Sequence, residues 1–236
     1  MQKPFMILFY EDEKPMDYRC IQRFIRAFPK SYQNVVERTI RKSERLDKAT
    51  FGSNLAELMP SFQMTRAGAF YGLGITEKGT PIDPNNVINL CWNEVGEELQ
   101  ELKDYIKKNA SCPRSRVMTD LSPKSRENVV KVTAQLFEKL KTLYVRSSQV
   151  GRVGATKVLF AALPEIAVPV DNLEWRQVFK TDSYGEILTT MTSEIIEWEK
   201  IVHKRLETLS PLATTTLPSI YNILAMAARD LTKANW

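Results

Sequence analysis

A lysine and an aspartate stand out in this chain as groups able to do chemistry. Lys157 follows a glycine turn, Gly151-Arg152-Val153-Gly154, and Asp171 comes fourteen positions after it in Val168-Pro169-Val170-Asp171. A glycine turn leading into a helix bares backbone N–H groups at a positive helix end, which suits a phosphate. It also lacks the Cβ that would hold a polyanion backbone away. Arg146 and Arg152 flank the turn with charge of the matching sign. A lysine in the first turn of the following helix feels that positive end, so its charged form is disfavoured and its amine becomes a better nucleophile. An aspartate ahead of a helix either caps it or turns its carboxylate into a cleft. There it stabilises a cationic centre or activates water. Trp175, four positions before Phe179, reads as a core aromatic or as a ring on which a base stacks.

Other chemistries are excluded by what the chain lacks. His203 is the single histidine, which removes multi-histidine zinc sites and HExxH metalloproteases. It lies in Glu199-Lys200-Ile201-Val202-His203-Lys204-Arg205, a charged stretch that reads as a helix face. Cys20, Cys91 and Cys112 are odd in number and far apart, so they read as reduced thiols and not as a disulfide frame or zinc site. The segment Gly68-Ala69-Phe70-Tyr71-Gly72-Leu73-Gly74 holds no lysine and is not a nucleotide-binding P-loop. No metal and no cofactor is expected. The +5 charge admits a polyanion partner without requiring one.

The segment 146–180 resembles the helix-hairpin-helix superfamily of DNA glycosylases. Val150 to Val158 is similar to that family's phosphate-binding hairpin, and Val168-Pro169-Val170-Asp171 to its aspartate segment. The hairpin here reads Gly-Arg-Val-Gly, with Lys157 three positions after Gly154 where the family has it two after. The resemblance implies a mainly helical fold and a duplex DNA partner held through Arg146, Gly151, Arg152 and Gly154. It also implies excision of a base turned out of the duplex, with Asp171 as the catalytic carboxylate and Lys157 as a Schiff-base nucleophile.

Helical periodicity along the chain supplies the elements that must hold these groups. Residues 15–48 read as two basic helices. The first has Ile21, Phe24, Ile25 and Phe28 inward and Arg19, Arg23 and Arg26 between. The second starts near Ser31 and carries Arg38, Arg41, Lys42 and Arg45. Residues 50–84 hold several glycines and prolines and read as an irregular connecting segment. Residues 85–108 form an amphipathic acidic helix, and 109–123 a polar loop. Ser122-Pro123 then starts a helix reaching about Tyr144. A helix follows the glycine turn to Leu163, Pro164 and Pro169 bracket an extended link, and further helices begin near Asn172 and span 185–207 and 217–232. Only 5–10 has strand-like or packing-segment character. The expected fold is all-α with little or no sheet, one helical unit over 1–236 that divides, if at all, into 1–84 and 85–236. No apolar run is long enough to cross a bilayer and no signal peptide is evident, so the expected location is cytoplasmic.

Two other functions remain open at this point. Glu94, Glu97, Glu98 and Glu101 share neighbouring helix faces. Such clusters hold magnesium in all-helical nucleotide pyrophosphohydrolases, although the next helix offers only Glu127 and Glu138 among basic residues. A solvated acidic face is the plainer reading. The third possibility is a non-catalytic helical module whose basic helices bind nucleic acid or protein.

Overall fold

Periodic apolar positions and side-chain caps together set where the helices run. The computed structural model describes residues 7–10, 13–212 and 214–231. Its helices are α1 (Tyr18–Ala27), α2 (Lys30–Lys42), α3 (Lys48–Ser61), α4 (Val87–Asn109), the short α5 (Val117–Asp120), α6 (Pro123–Thr142), α7 (Gly151–Ala162), α8 (Tyr184–Val202) and α9 (Leu217–Leu231). A π-helical stretch occupies Glu174–Phe179. The sheet content is two antiparallel pairs of two-residue strands, β1 (Gly74–Ile75) with β2 (Pro81–Ile82) and β3 (Tyr144–Val145) with β4 (Ser148–Gln149). The fold is mainly all-α.

Four helix starts use a side-chain oxygen to satisfy an N–H left open in the first turn. Asp17 accepts from Arg19 N, Asp47 from Thr50 N, Ser122 from Ser125 N and Ser183 from Glu186 N. Asp83 does the same for α4, accepting from Val87 N at 2.9 Å and Ile88 N at 2.8 Å.

Helix α3 overturns the expectation of an irregular connection across 50–84. Phe51, Leu55, Leu58 and Met59 are fully buried, and α3 packs on α2, α4 and α7. A helix buried nearly all round shows no amphipathic stripe, so its periodicity is invisible in the sequence. Gly52 permits the close approach to Ile88, and Pro60 falls in the last turn. Only the part beyond α3 is irregular, with two short 3₁₀ turns and the β1–β2 pair.

Helix α7 is the centre of the molecule. From Gly154 to Ala162 every residue is buried, between α3 on one side and α6 on the other. Helix α3 packs on α7 and α1 packs on α9, and buried apolar side chains from before and after residue 84 belong to one cluster. Of the apolar patch at 5–10, residues 5 and 6 lie outside the described residues. Ile7, Leu8 and Phe9 are buried, with an isolated bridge from Phe9 to Pro15. Leu8 N donates to Glu194 at 2.7 Å, and Trp198 Nε1 donates to Met16 O at 2.8 Å. The patch is a packing segment tied to α8.

Among the described residues, no helix is long and apolar enough to cross a membrane.

Candidate functional site

The chain reverses between α6 and α7 at Arg146–Ser147, between β3 and β4, and Arg146 takes up a left-handed φ of 55°. The sequence placed this turn at Gly151–Gly154. The structure instead starts α7 at Gly151, whose φ of 69° is the one point where the entry requires glycine. Gly154 lies inside the helix for a different reason. A Cβ there would come within 2.6 Å of Phe70 Cε2, so the glycine lets α7 seat against that ring. Gly154 is buried and offers no surface to a phosphate.

The link from Pro164 to Val170 is buried without a sheet to satisfy its backbone. Side chains take over that task. Val168 N donates to Tyr184 Oη at 2.9 Å and Tyr184 Oη donates back to Val168 O at 3.0 Å. Val170 N donates to Thr156 Oγ1 at 3.0 Å. Thr156 is the residue before Lys157, so the contact that fixes Val170 also sets Asp171 beside Lys157. Lys157 Nζ donates to Asp171 Oδ1, joining the two groups singled out in the sequence.

The pair is lopsided. The Lys157 side chain is 0% exposed and that of Asp171 is 29% exposed. Phe62, at the end of α3, covers the ammonium, with its ring centroid 4.2 Å from Nζ. Burial pulls the Lys157 ammonium below the usual lysine range, and the Asp171 carboxylate opposes the shift. The first turn of a helix is not the cause, because α7 begins six residues earlier, at Gly151.

Glu174 completes the cluster, and sequence reading gave it no role. Its Oε2 accepts from Asp171 N at 2.7 Å, the back-reaching half of a capping box. Its Oε1 is buried with no hydrogen-bond partner, and Arg229 of α9 stands 3.7 Å away, too far for a hydrogen bond. Burial pushes the Glu174 carboxyl up to about 7, and the charge of Asp171 adds to the effect. Tyr32 of α2 lies within electrostatic reach of both carboxylates and accepts from Asn222 Nδ2 of α9 at 2.6 Å. Asn222 Oδ1 is a second buried acceptor without a partner. Asn222, a lone amide in the apolar run of α9, was the one visible signal for this side of the site. Tyr32, Phe62 and Arg229 had none.

The remaining sequence candidates sit around this cluster in other roles. Arg146 Nη2 donates to Pro84 O at 2.7 Å. Arg152 donates to Asp182 at 3.1 Å and lies over the Trp175 ring, 5.6 Å from its centroid. Trp175 is 2% exposed, packed with Phe137 and Tyr184. Of its two readings the geometry takes the core one, since a base has no access to a ring sealed on both sides. On α4, Glu94, Glu97 and Glu101 are exposed and Glu98 pairs with Lys139 of α6. Among the described residues no group of three or more His, Cys, Asp or Glu is placed to hold a metal ion. His203 is exposed at the C-terminal cap of α8.

The basic stretch 15–48 divides. On α2, Arg38 and Lys42 pair with Glu57 and Arg41 pairs with Glu37, while Arg45 beyond it pairs with Asp47. On α1, Arg19, Arg23 and Arg26 form no close ion pair among the described residues; Arg19 donates to Tyr18 Oη at 3.2 Å within electrostatic reach of Asp17, and Arg23 lies over the Phe24 ring.

Comparison of the chain with protein-family models, with curated proteins and with solved structures gives no match.

Proposed function

We propose that the protein binds duplex DNA and hydrolyses the N-glycosidic bond of a nucleotide turned out of the duplex, with Asp171 as the carboxylate that meets the sugar. The observation that carries this reading is the contact between Lys157 and Asp171, in which the acid alone reaches solvent. The glycosidic bond breaks with its electron pair leaving on the base. The positive charge left on the sugar at C1′ is met by the Asp171 carboxylate. A water molecule then adds to C1′ and gives up a proton, for which Asp171 is the acceptor. Lys157 serves as a positioning residue. With its Nζ fully buried behind Asp171 and under Phe62, it holds the carboxylate and does not itself meet the sugar.

The test begins with binding to duplex DNA carrying a stable abasic-site analogue, over a salt series. Tighter binding than to undamaged duplex, weakening with salt, is the expected result. Against a panel of damaged bases, Asp171→Asn is expected to bind undiminished and to release no base. Borohydride is expected to trap no covalent complex. A trapped adduct lost in Lys157→Met would restore the nucleophile role to the lysine.

A second reading is favoured by the arginines of α1, which form no close ion pair among the described residues. In it the protein is a non-catalytic helical module that binds a polyanion through Arg19, Arg23 and Arg26, and the Lys157–Asp171 pair is an internal clamp. Equal affinity for abasic and intact duplex, with no base release from any substrate, would select it.

A further inference from the structure

At the far end of α8 from the Asp171 cluster, an open cleft of about 550 Å³ lies among α5, the start of α6 and the end of α8. Tyr184, which holds the Val168 backbone, and Glu199, which lines the cleft, are about 22 Å apart at the α-helical rise per residue. The two places are distinct.

Charges in the cleft fall into two groups. Arg116 is buried and closed off, its guanidinium shared by Asp120, Glu199 and Glu207 at 2.7 to 3.1 Å. Of the two carboxylates that line the cleft, Glu199 is largely buried against Arg116, while Asp120 keeps 30% of its side chain exposed. Arg126, Lys200 and Arg205 also line the cleft and form no close ion pair among the described residues, although Asp120 lies within electrostatic reach of Arg126 and Arg205. Lys204 lies over the Tyr18 ring at 4.6 Å from its centroid, and Arg19 lies over the same ring at 5.7 Å. One aromatic thus carries two cations at the cleft edge.

The ordinary account of cations at a helix C-terminus is that they complement its negative end. It serves for Lys200, but not for Arg126. That residue is the fourth of α6, at the positive end of a helix, where a cation is disfavoured. Arg126 Nη2 donates to the carbonyls of Thr119 and Leu121, and Nε is buried with no partner. Burial pulls the Arg126 guanidinium below its usual range, with only Asp120 acting against it at a distance. A half-buried guanidinium with an unpaired donor and no close ion pair, lining a cleft together with Lys200, Lys204 and Arg205, is an arrangement that an oxyanion completes.

We infer that this cleft binds a phosphate group, with Arg126 at its floor and Lys200 and Arg205 at its rim. The volume is in the range of small-ligand sites, so the phosphate belongs either to a small ester or to a nucleic-acid backbone.

The single histidine makes the test clean, because His203 lines the same cleft and its ring protons report on one site. Inorganic pyrophosphate is titrated at fixed pH and ionic strength while those signals are followed by NMR. A saturable shift is expected. In the double variant Lys200→Ala/Arg205→Ala the affinity is expected to fall by about tenfold or more, the loss of charge-assisted hydrogen bonds. Lys131→Ala, an exposed charge outside the cleft, is expected to leave it unchanged. No saturable shift, equal affinity in the double variant, or an equal loss in Lys131→Ala would overturn the inference. Duplex DNA that displaces pyrophosphate and binds the double variant more weakly identifies a backbone phosphate. A nucleoside monophosphate that displaces it where duplex DNA does not identifies a small ester.

Discussion

Two buried ion clusters flank α7, and they are built on opposite terms. In the first, Glu165 sits between Lys103 of α4 and Arg114, with side-chain exposures of 1%, 5% and 24%. Arg114 donates to Glu165 from both Nε and Nη2, and its other donors go to Ile40 O and Ser43 Oγ at the end of α2. In the second, Lys157, Asp171 and Glu174 lie together, but Asp171 reaches solvent and Glu174 Oε1 has no hydrogen-bond partner. A closed network commits its charges to one another and to the fold. An incompletely satisfied one keeps capacity for something else, and such sites are where function concentrates.

The largest expected effect comes from opening the closed cluster. Glu165→Gln leaves Lys103 and Arg114 without their anion, and is expected to cost about 3–5 kcal/mol in chemical denaturation. An effect under about 1 kcal/mol would show that the two clusters do not differ in kind.

The next effect is a dependence on pH. The Glu174 and Glu194 carboxyls are both raised from 4.5 to about 7 by burial. Between those values the native state holds protons that the unfolded chain releases, so stability is full below about 4.5 and falls as pH rises toward 7. Each group is expected to contribute about 3 kcal/mol at most to that fall. Glu174→Gln, an uncharged match for the protonated acid, is expected to remove its share and flatten the profile.

Asp171→Asn is expected to cost less, about 1–2 kcal/mol, since the Lys157 amine that it leaves behind can give up its proton. On the proposed function its effect on base release is far larger than its effect on stability. Lys157→Met is expected to be the mildest, within about 1 kcal/mol of the parent, because an apolar chain of similar length suits the face of Phe62 and Asp171 keeps access to water. In Lys103→Met, by contrast, Glu165 stays buried with Arg114 as its remaining cation.

Much of the fold was legible because most helices carry a one-sided apolar stripe and visible caps. Ser122-Pro123 marked the start of α6, and the spacing of Ile21, Phe24, Ile25 and Phe28 marked α1. Helix α3 was hidden because burial on nearly all sides leaves no stripe to read. The position of the reversal is not marked by the glycines. Glycines drew attention to 151–154, whereas the turn is made by Arg146 in a left-handed conformation and the glycines serve the entry and seating of α7.

For the site, the residue types of Lys157 and Asp171 and their spacing were present in the sequence, as was the proline-bracketed segment that carries the aspartate. The sequence also determined the all-α class, the charge, and the lack of histidines for a multi-histidine metal site. Tertiary structure alone decided that Lys157 is sealed while Asp171 faces out, that Glu174 lies beside them, and that Arg38, Arg41 and Lys42 of α2 are ion-paired while the arginines of α1 form no close ion pair among the described residues. Local spacing fixes what one helix turn presents to the next. Burial, pairing and the loss of water around a charge depend on segments that meet from across the whole chain, as when Asn222 of α9 meets Tyr32 of α2.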